Sequence, residues 1–366
     1  MPTQIRLENL RKEFGEIVAV DDIDVTIPAG EFVTLVGPSG CGKTTTLRML
    51  AGLETPTAGR IYFDGEDVTD HSPQERPISM VFQTTALYPH MTCRENIGYG
   101  LKIRGVPKAE RDARIEEAAD ILQIPAQLDK MPAELSGGQQ QRVALGRAFV
   151  EDPEVLLLDE PMSDLDAKLK EELRVEIQRL HQRLDATMVY VTHDQNEAMT
   201  MSDRIALMRA GTVAQFDEPE TLFDRPVSEY AATFIGTPTT NVLAYDVDDG
   251  QAIRGSNRVS LPPAVTIEDT VRIGIRPQFL SVGGGDVEIE VTVDVIEPLG
   301  TEYVVHATEV DGETAIDIVV GAVDALDPGD TVTVGAALDD VYFFDADGRT
   351  LAYGTEAVSP PEVEGR

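Results

Sequence analysis

An apolar run, Phe32 to Val36, leads into Gly37-Pro-Ser-Gly-Cys-Gly-Lys-Thr, and a helical pattern follows; no other stretch narrows the possible folds as far. A glycine, four residues and then Gly-Lys-Thr between strand and helix is the P-loop in both spacing and context. Small residues there let successive backbone N–H groups turn onto phosphate oxygens, and the helix that starts after them adds the positive end of its dipole. Gly37, Pro38, Ser39, Gly40, Cys41, Gly42, Lys43, Thr44 and Thr45 are therefore expected to bind a nucleotide. Lys43 would set a point charge on the β and γ phosphates, and Thr44 a hydroxyl on Mg²⁺.

A second stretch supplies carboxylates. Val155-Leu-Leu-Leu158 reads as a buried strand and ends in Asp159 and Glu160, where an α/β sheet places its ligand. Asp159 is expected to hold Mg²⁺, and Glu160 to polarise an attacking water as general base. In a chain this acidic, adjacent acids at a strand end are often no more than a solvated turn; the phosphate loop tips the reading towards catalysis. A third stretch, Leu135-Ser-Gly-Gly-Gln139, continues into a helical QQRVALGRAF. Ser136, Gly137, Gly138 and Gln139 can form a second anion site at a helix N-terminus, although Ser-Gly-Gly taken alone is a flexible turn. Two phosphate-binding loops in one chain suggest a site assembled between two subunits.

Short apolar runs alternate with helical patterns from Ile5 to about Gly236, which predicts an α/β domain over residues 1–235, built on a mainly parallel sheet. Strands are expected at Phe32–Val36, Ser79–Phe82, Val155–Leu158 and Met188–Thr192. A helical insert is expected at about 88–152, where ERDARIEEAADILQI turns Ile115, Ala118, Ala119 and Leu122 to one face. Past Gly236, runs such as VRIGIR, VEIEVTVDVIEPLG and TAIDIVVG alternate between Gly, Asp and Pro turns. They predict a separate β-barrel at 236–366, with a short disordered tail after Gly354.

The 366 residues suffice for two cores. With 65 acidic against 30 basic residues the net charge is −35, which opposes broad contact with nucleic acid or anionic lipid. The piece after Ile235 alone carries 25 acidic residues, six arginines and no lysine. Acids spread over nearly every loop and exposed helix face resemble the surface of proteins from salt-accumulating halophiles, because at about 1 M salt the Debye length shrinks to roughly 3 Å and self-repulsion fades. A halophilic archaeal source is expected; an ordinary acidic protein with a basic partner is the alternative. Two cysteines, Cys41 and Cys93, give neither a disulfide framework nor a thiolate metal site. With no basic, apolar leader and no membrane-length apolar run, a soluble protein made in the cytoplasm is expected.

The ordered set GPSGCGKT, Gln83 in VFQ, LSGGQQQR, LLLDEP, Ser163 to Asp166, and His193 in VTHD resembles the ATP-binding subunits of ABC transporters. The resemblance covers about 235 residues. It implies that two such subunits sandwich two ATP molecules, each held by the P-loop of one and the LSGGQ of the other. Carried over by position, Gln83 senses Mg²⁺ and the attacking water, His193 contacts the γ-phosphate, and Phe14 stacks on adenine. Without that context Gln83 reads as a surface cap, His193 as a satisfied histidine and Phe14 as a core residue. Asp164 stands where the family more often has Asn.

ALYPHMT (Ala86–Thr92), THDQNEAMTMSDR (Thr192–Arg204), GIRP (Gly274–Pro277) and EPLG (Glu297–Gly300) extend the resemblance to the carbohydrate-importer branch, similar to MalK and UgpC subunits. That branch implies a C-terminal β-barrel of OB type (TOBE-like) that holds the subunits together and receives regulatory signals. It also implies two membrane-spanning permease subunits whose short helices dock on the helical insert, a solute-binding protein outside the cell, and a peripheral place on the cytoplasmic face of the membrane. Importers of glycerol phosphate, iron, phosphate, sulfate or polyamines remain alternatives, as, more distantly, does a non-transport ABC ATPase. Homodimer and heterodimer are both open.

Overall fold

The computed structural model describes every residue except 256, 264, 266, 268, 311, 324, 325 and 359–366. The chain divides into two compact units, Met1–Glu220 and Thr221–Arg366.

The first unit opens with β1 (Ile5–Phe14), β2 (Ile17–Ile27), β3 (Phe32–Val36), α1 (Lys43–Leu50), β4 (Ala58–Phe63), β5 (Glu66–Asp67) and β6 (Ile78–Val81). Four helices follow: α2 (Cys93–Ile97), α3 (Tyr99–Ile103), α4 (Lys108–Ile121) and α5 (Gly137–Phe149). Then come β7 (Val155–Asp159), α6 (Ala167–Arg183), β8 (Thr187–Thr192), α7 (Gln195–Met201), β9 (Arg204–Arg209) and β10 (Thr212–Asp217).

Six strands form one sheet in the order β10-β9-β3-β8-β7-β6. Every pairing in it is parallel except that of the edge strand β10 with β9. All residues of β3, β7 and β8 are buried, which is why these strands read as unbroken apolar runs: a parallel sheet is covered on both faces. Side-chain alternation divides them between two cores. Phe32, Leu156, Leu158, Met188 and Tyr190 pack with the helical segment. Val33, Leu35, Val155, Leu157, Val189 and Val191 pack with α1 and a second sheet.

The mainly parallel sheet is the expected one; the second sheet was not anticipated. It is antiparallel, in the order β2-β1-β4-β5. Its strands bury one face only, so they lack the unbroken apolar runs by which the parallel strands were recognised. The expected strand Ser79–Phe82 is shifted by one residue, since Phe82 is exposed. In the helical segment α4 turns Ile115, Ala118 and Ala119 inward, with Leu122 buried at its C-cap.

The helix α8 (Pro219–Asp224) runs across the division, and the second unit continues with α9 (Glu229–Phe234). They precede β11 (Asn241–Asp248), β12 (Gln251–Arg254), β13 (Asn257–Ser260), β14 (Thr270–Ile275), β15 (Ser281–Val282) and β16 (Val287–Leu299). The remaining strands are β17 (Glu302–Glu309), β18 (Ala315–Val320), β19 (Thr331–Ala336), β20 (Val341–Phe344), β21 (Thr350–Tyr353) and β22 (Glu356–Ala357). They form two antiparallel sheets, β13-β12-β11-β14-β20-β21-β22 and β15-β19-β16-β17-β18, around one shared core that includes Tyr245, Ile273, Val291 and Phe343.

The division falls fifteen residues before the expected boundary at 235/236, and Arg276 supplies the reason. Its guanidinium, 1% exposed, donates to the backbone oxygens of Phe223 (2.5 Å) and Ile235 (2.7 Å), next to the C-terminal ends of α8 and α9. It also donates to the Tyr342 hydroxyl (3.0 Å) and lies 3.7 Å from the Phe223 ring centre. A cation attracted by helix C-termini thus fastens the segment 221–235 to the β unit. Of the stretch after Gly354, where a disordered tail was expected, Glu356–Ala357 form β22 and pair with β21; residues 359–366, on which the rest of that expectation falls, lie outside the described residues.

Candidate nucleotide site

The parallel strands β3, β8 and β7 are neighbours in register, with Val36 opposite Thr192 and Asp159 opposite Val191. The P-loop, the acidic pair and His193 therefore leave the sheet at one edge, the carboxyl ends of its strands, where α/β sheets hold ligands.

The loop is held from below. Gly37 has φ 155°, and a Cβ there would lie 2.4 Å from the Met208 backbone oxygen on β9; Gly42 has φ 105°, and a Cβ would lie 2.5 Å from the Ala19 oxygen on β2. Only glycine fits such close approaches of backbone to backbone. Gly37 and Cys41 are buried, whereas Pro38, Ser39 and Gly40 are exposed. Lys43, itself buried, donates to the oxygens of Gly37 (2.7 Å) and Pro38 (3.0 Å). The N–H groups of Lys43, Thr44 and Thr45 open α1, where a helix has unpaired donors.

Thr44 Oγ1 donates to Asp159 Oδ1 across 3.1 Å. Asp159 is 8% exposed, and burial pushes its carboxyl up while the Thr44 hydroxyl pulls it down. A hydroxyl and a carboxylate oxygen side by side are hard donors that suit Mg²⁺, which takes few protein oxygens and keeps phosphate and water for the rest.

Glu160 follows with φ 42°, a left-handed conformation that a side chain adopts at a cost of roughly 1–2 kcal/mol. Its backbone N–H donates to Val191 O (3.0 Å), and its Oε2 shares a 3.2 Å hydrogen bond with His193 Nδ1. The strained turn thus directs the carboxylate away from the strand and towards the histidine. Such outliers gather at functional sites.

The structure leaves several expected residues apart from this group. Ser136 caps α5, accepting from Gln139 N while Gln139 Oε1 accepts from Ser136 N; Ser136 and Gly137 are exposed and Gly138 is buried beneath Leu169. Among the described residues no hydrogen bond joins 136–139 to the P-loop. Gln83 is exposed with no hydrogen bond to Thr44, Asp159 or Glu160. Phe14 is 45% exposed, with the Lys12 ammonium 4.9 Å from its ring centre, so it is a surface ring rather than a core one. Asp164 is exposed, and Asp166 caps α6.

A cavity of about 440 Å³ opens beside the helical segment, lined by Phe82, Ala86, Tyr88, Tyr99, Arg147 and Glu151 among others. Buried Asn96 shapes its rim, accepting from Tyr88 N and donating to the oxygens of Tyr88, Met91 and Thr92.

Sequence reasoning passed over Glu197. Asp194 and Glu197 have the spacing of a capping box, which would return Glu197 to the backbone. Asp194 does cap α7, but the Glu197 carboxylate turns inward to accept from Tyr190 and Thr192.

A phosphate loop, a hard-oxygen pair and a carboxylate with a histidine define a nucleotide-hydrolysing site. Residues 20–163 match the family described as ABC transporter, and 273–344 the TOBE domain. The lactose transport ATP-binding protein LacK of Rhizobium radiobacter is 44% identical, over 95% of this chain and 99% of that protein. The xylose/arabinose import ATP-binding protein XacJ of Haloferax volcanii is 45% identical over 96% of each. The sn-glycerol-3-phosphate import ATP-binding protein UgpC of Ruegeria sp. is 46% identical over 93% of this chain and 97% of that protein. Among solved structures, the dimeric ATP-binding cassette MJ0796 bound to ADP and Pi is 32% identical with a TM-score of 0.53, covering 59% of this chain and 98% of that one. The chain belongs to the ATP-binding proteins of ABC transporters, the ATP-hydrolysing members of such systems, and carries a C-terminal TOBE domain.

Proposed function

We propose that the chain energises import of a sugar: ATP drives two cassettes together, and their closure moves the membrane subunits between inward- and outward-open states. The observation that carries this reading is the contrast between one half-site, Thr44, Asp159, Glu160 and His193 at one sheet edge, and the solvent-facing Ser136 and Gly137 of the segment 136–139. A second cassette, identical or related, supplies its own Ser136–Gln139 equivalent to the nucleotide. Thr44 and Asp159 would hold Mg²⁺, with Gln83 brought in on closure, and the ion would supply positive charge to offset that of the phosphates. Lys43 and the loop N–H groups bind the phosphates, and Phe14 offers a ring face to adenine. Glu160 accepts a proton from the attacking water and His193 orients that carboxylate and the γ-phosphate.

The cavity beside Tyr88 and Arg147 is the place on each cassette for a short helix of one of the two permease subunits, and the solute reaches them from a binding protein outside the cell. The chain then works as a peripheral protein on the cytoplasmic face; among its described residues no helix is long and apolar enough to cross a membrane. Sugar import is supported by the names of LacK and XacJ, and glycerol phosphate is the second reading, supported by that of UgpC. The net charge of −35 and the likeness to a Haloferax protein support a halophilic archaeal source.

The decisive experiment is ATP hydrolysis by the purified chain in molar KCl against Glu160→Gln, with sizing in the presence and absence of ATP. Turnover by the wild type alone and ATP-dependent dimers of the mutant are expected. Normal turnover by Glu160→Gln would overturn the role given to that carboxylate.

A further inference from the structure

His193 stands between two residues that share one anchor. Before it, the Thr192 hydroxyl donates to Glu197 Oε2 (2.6 Å) and accepts from the backbone N–H of Asp194 (3.0 Å), the residue after it. The Tyr190 hydroxyl, two residues further back on β8, donates to the same Oε2 (2.6 Å). Tyr190 is fully buried, Thr192 is 3% exposed and Glu197 is 7% exposed. One carboxylate oxygen therefore gathers the end of β8, and through Thr192 the turn that carries the imidazole. Charge-assisted hydrogen bonds in a buried setting are stronger than neutral ones and hold their partners in fixed geometry.

The other oxygen faces a different element. Lys170 Nζ lies 3.8 Å from Glu197 Oε1 and 3.9 Å from Asp194 Oδ2. Lys170 sits in the first turn of α6, whose cap is Asp166, the last residue of the segment Ser163–Asp166. Glu197 is thus an anion between the strand that ends at His193 and the helix that begins just after that segment.

We propose that Glu197 is a positioning residue for His193, and that Lys170 links this anchor to the start of α6. Glu197 makes no contact with nucleotide in this scheme; it fixes the turn from which His193 reaches Glu160. The inference rests on the hydrolytic reading above.

The test is ATP hydrolysis by the full chain in molar KCl. Glu197→Leu is expected to lower kcat at least tenfold with KM for ATP within about twofold, since misplacing a reacting group by about 1 Å can cost as much as a hundredfold. In a His193→Ala chain the same change is expected to cost nothing further, because the group through which it acts is gone. Glu197→Gln, which keeps an oxygen to accept from Tyr190 and Thr192, should recover most of the loss. Thr192→Val, a change of similar shape that folds even where Glu197→Leu does not, should give a smaller loss. Lys170→Met should lower kcat a few-fold, and Lys170→Arg restore it. Ring resonances of labelled histidine give a readout independent of turnover: Glu197→Leu and Thr192→Val should move that of His193 and leave those of His71, His90 and His306 in place. Equal losses with and without His193, or an unmoved His193 resonance in both variants, overturn the proposal. Failure of the hydrolytic reading is distinct: the wild type itself would not turn over, while the His193 resonance would still report the anchor.

Discussion

The charged groups enclosed in the β unit and the carboxylates at the sheet edge of the first unit do opposite work. In the β unit Arg276 is enclosed, and its donors are taken up by Tyr342, Ile235, Thr240 and Phe223; Glu309 is buried against Arg254, which holds both of its oxygens. At the sheet edge of the first unit, among the described residues, the Asp159 carboxylate has one side-chain donor in Thr44 and the Glu160 carboxylate one partner in His193. Burial alone therefore does not mark a reactive centre. Unspent hydrogen-bonding capacity, joined to an irregular backbone at Gly37, Gly42 and Glu160, does.

The largest expected effect breaks or upholds that contrast directly. Glu160→Gln removes the proposed general base and should lower turnover by about 10²- to 10⁴-fold, while ATP binding and ATP-dependent association persist; single-turnover hydrolysis and sizing check it. Arg276→Met leaves buried carbonyls without a donor and should lower the stability of the β unit by about 3 kcal/mol or more, seen by calorimetry as an earlier transition. Loss of hydrolysis with unchanged calorimetry would break the distinction between the two kinds of charge. Gly42→Ala forces a Cβ towards the Ala19 oxygen and imposes strain of about 1–3 kcal/mol, so ATP affinity should fall about tenfold or more in equilibrium binding.

The smallest effects come from protons. In the first unit burial pushes the Glu176 carboxyl up to about 7, outweighing the Arg142 guanidinium 2.7 Å away. In the second, the hydrogen bond to Asp317 raises His306. Each group binds its proton more tightly when folded, so each contributes stability at low pH. The Glu176 contribution is lost as pH rises from its unfolded value of about 4.5 to about 7, and that of His306 as pH rises from 6.5 through its raised value. The melting curve of His306→Gln should meet that of wild type above its window and fall below it at lower pH, whereas Glu176→Gln, whose amide stands in for the protonated carboxyl, should match wild type at low pH and melt higher once pH passes about 7.

The P-loop, the acidic pair and the strands that carry them were legible in the chain because each is a local matter: a strand covered on both faces is apolar throughout, and a phosphate loop needs small residues at fixed spacing. His193, Gln83 and Phe14 carry no such local signal and were reached through likeness alone. Sequence also separated an α/β part from a β part, since the hydrophobic period changes from helix to strand. What it left open depends on groups distant in the chain. The antiparallel sheet β2-β1-β4-β5 shows only half-buried alternation, and the junction at 220/221 was set by Arg276, more than fifty residues beyond Phe223. Likewise Asp194 and Glu197 have the spacing of a helix cap, but the hydroxyls of Tyr190 and Thr192 draw the Glu197 carboxylate into the protein. Local spacing determines what a side chain can reach along its own helix; only the packed structure decides which buried donor it must satisfy, because an unpaired polar group inside costs more than a surface cap returns.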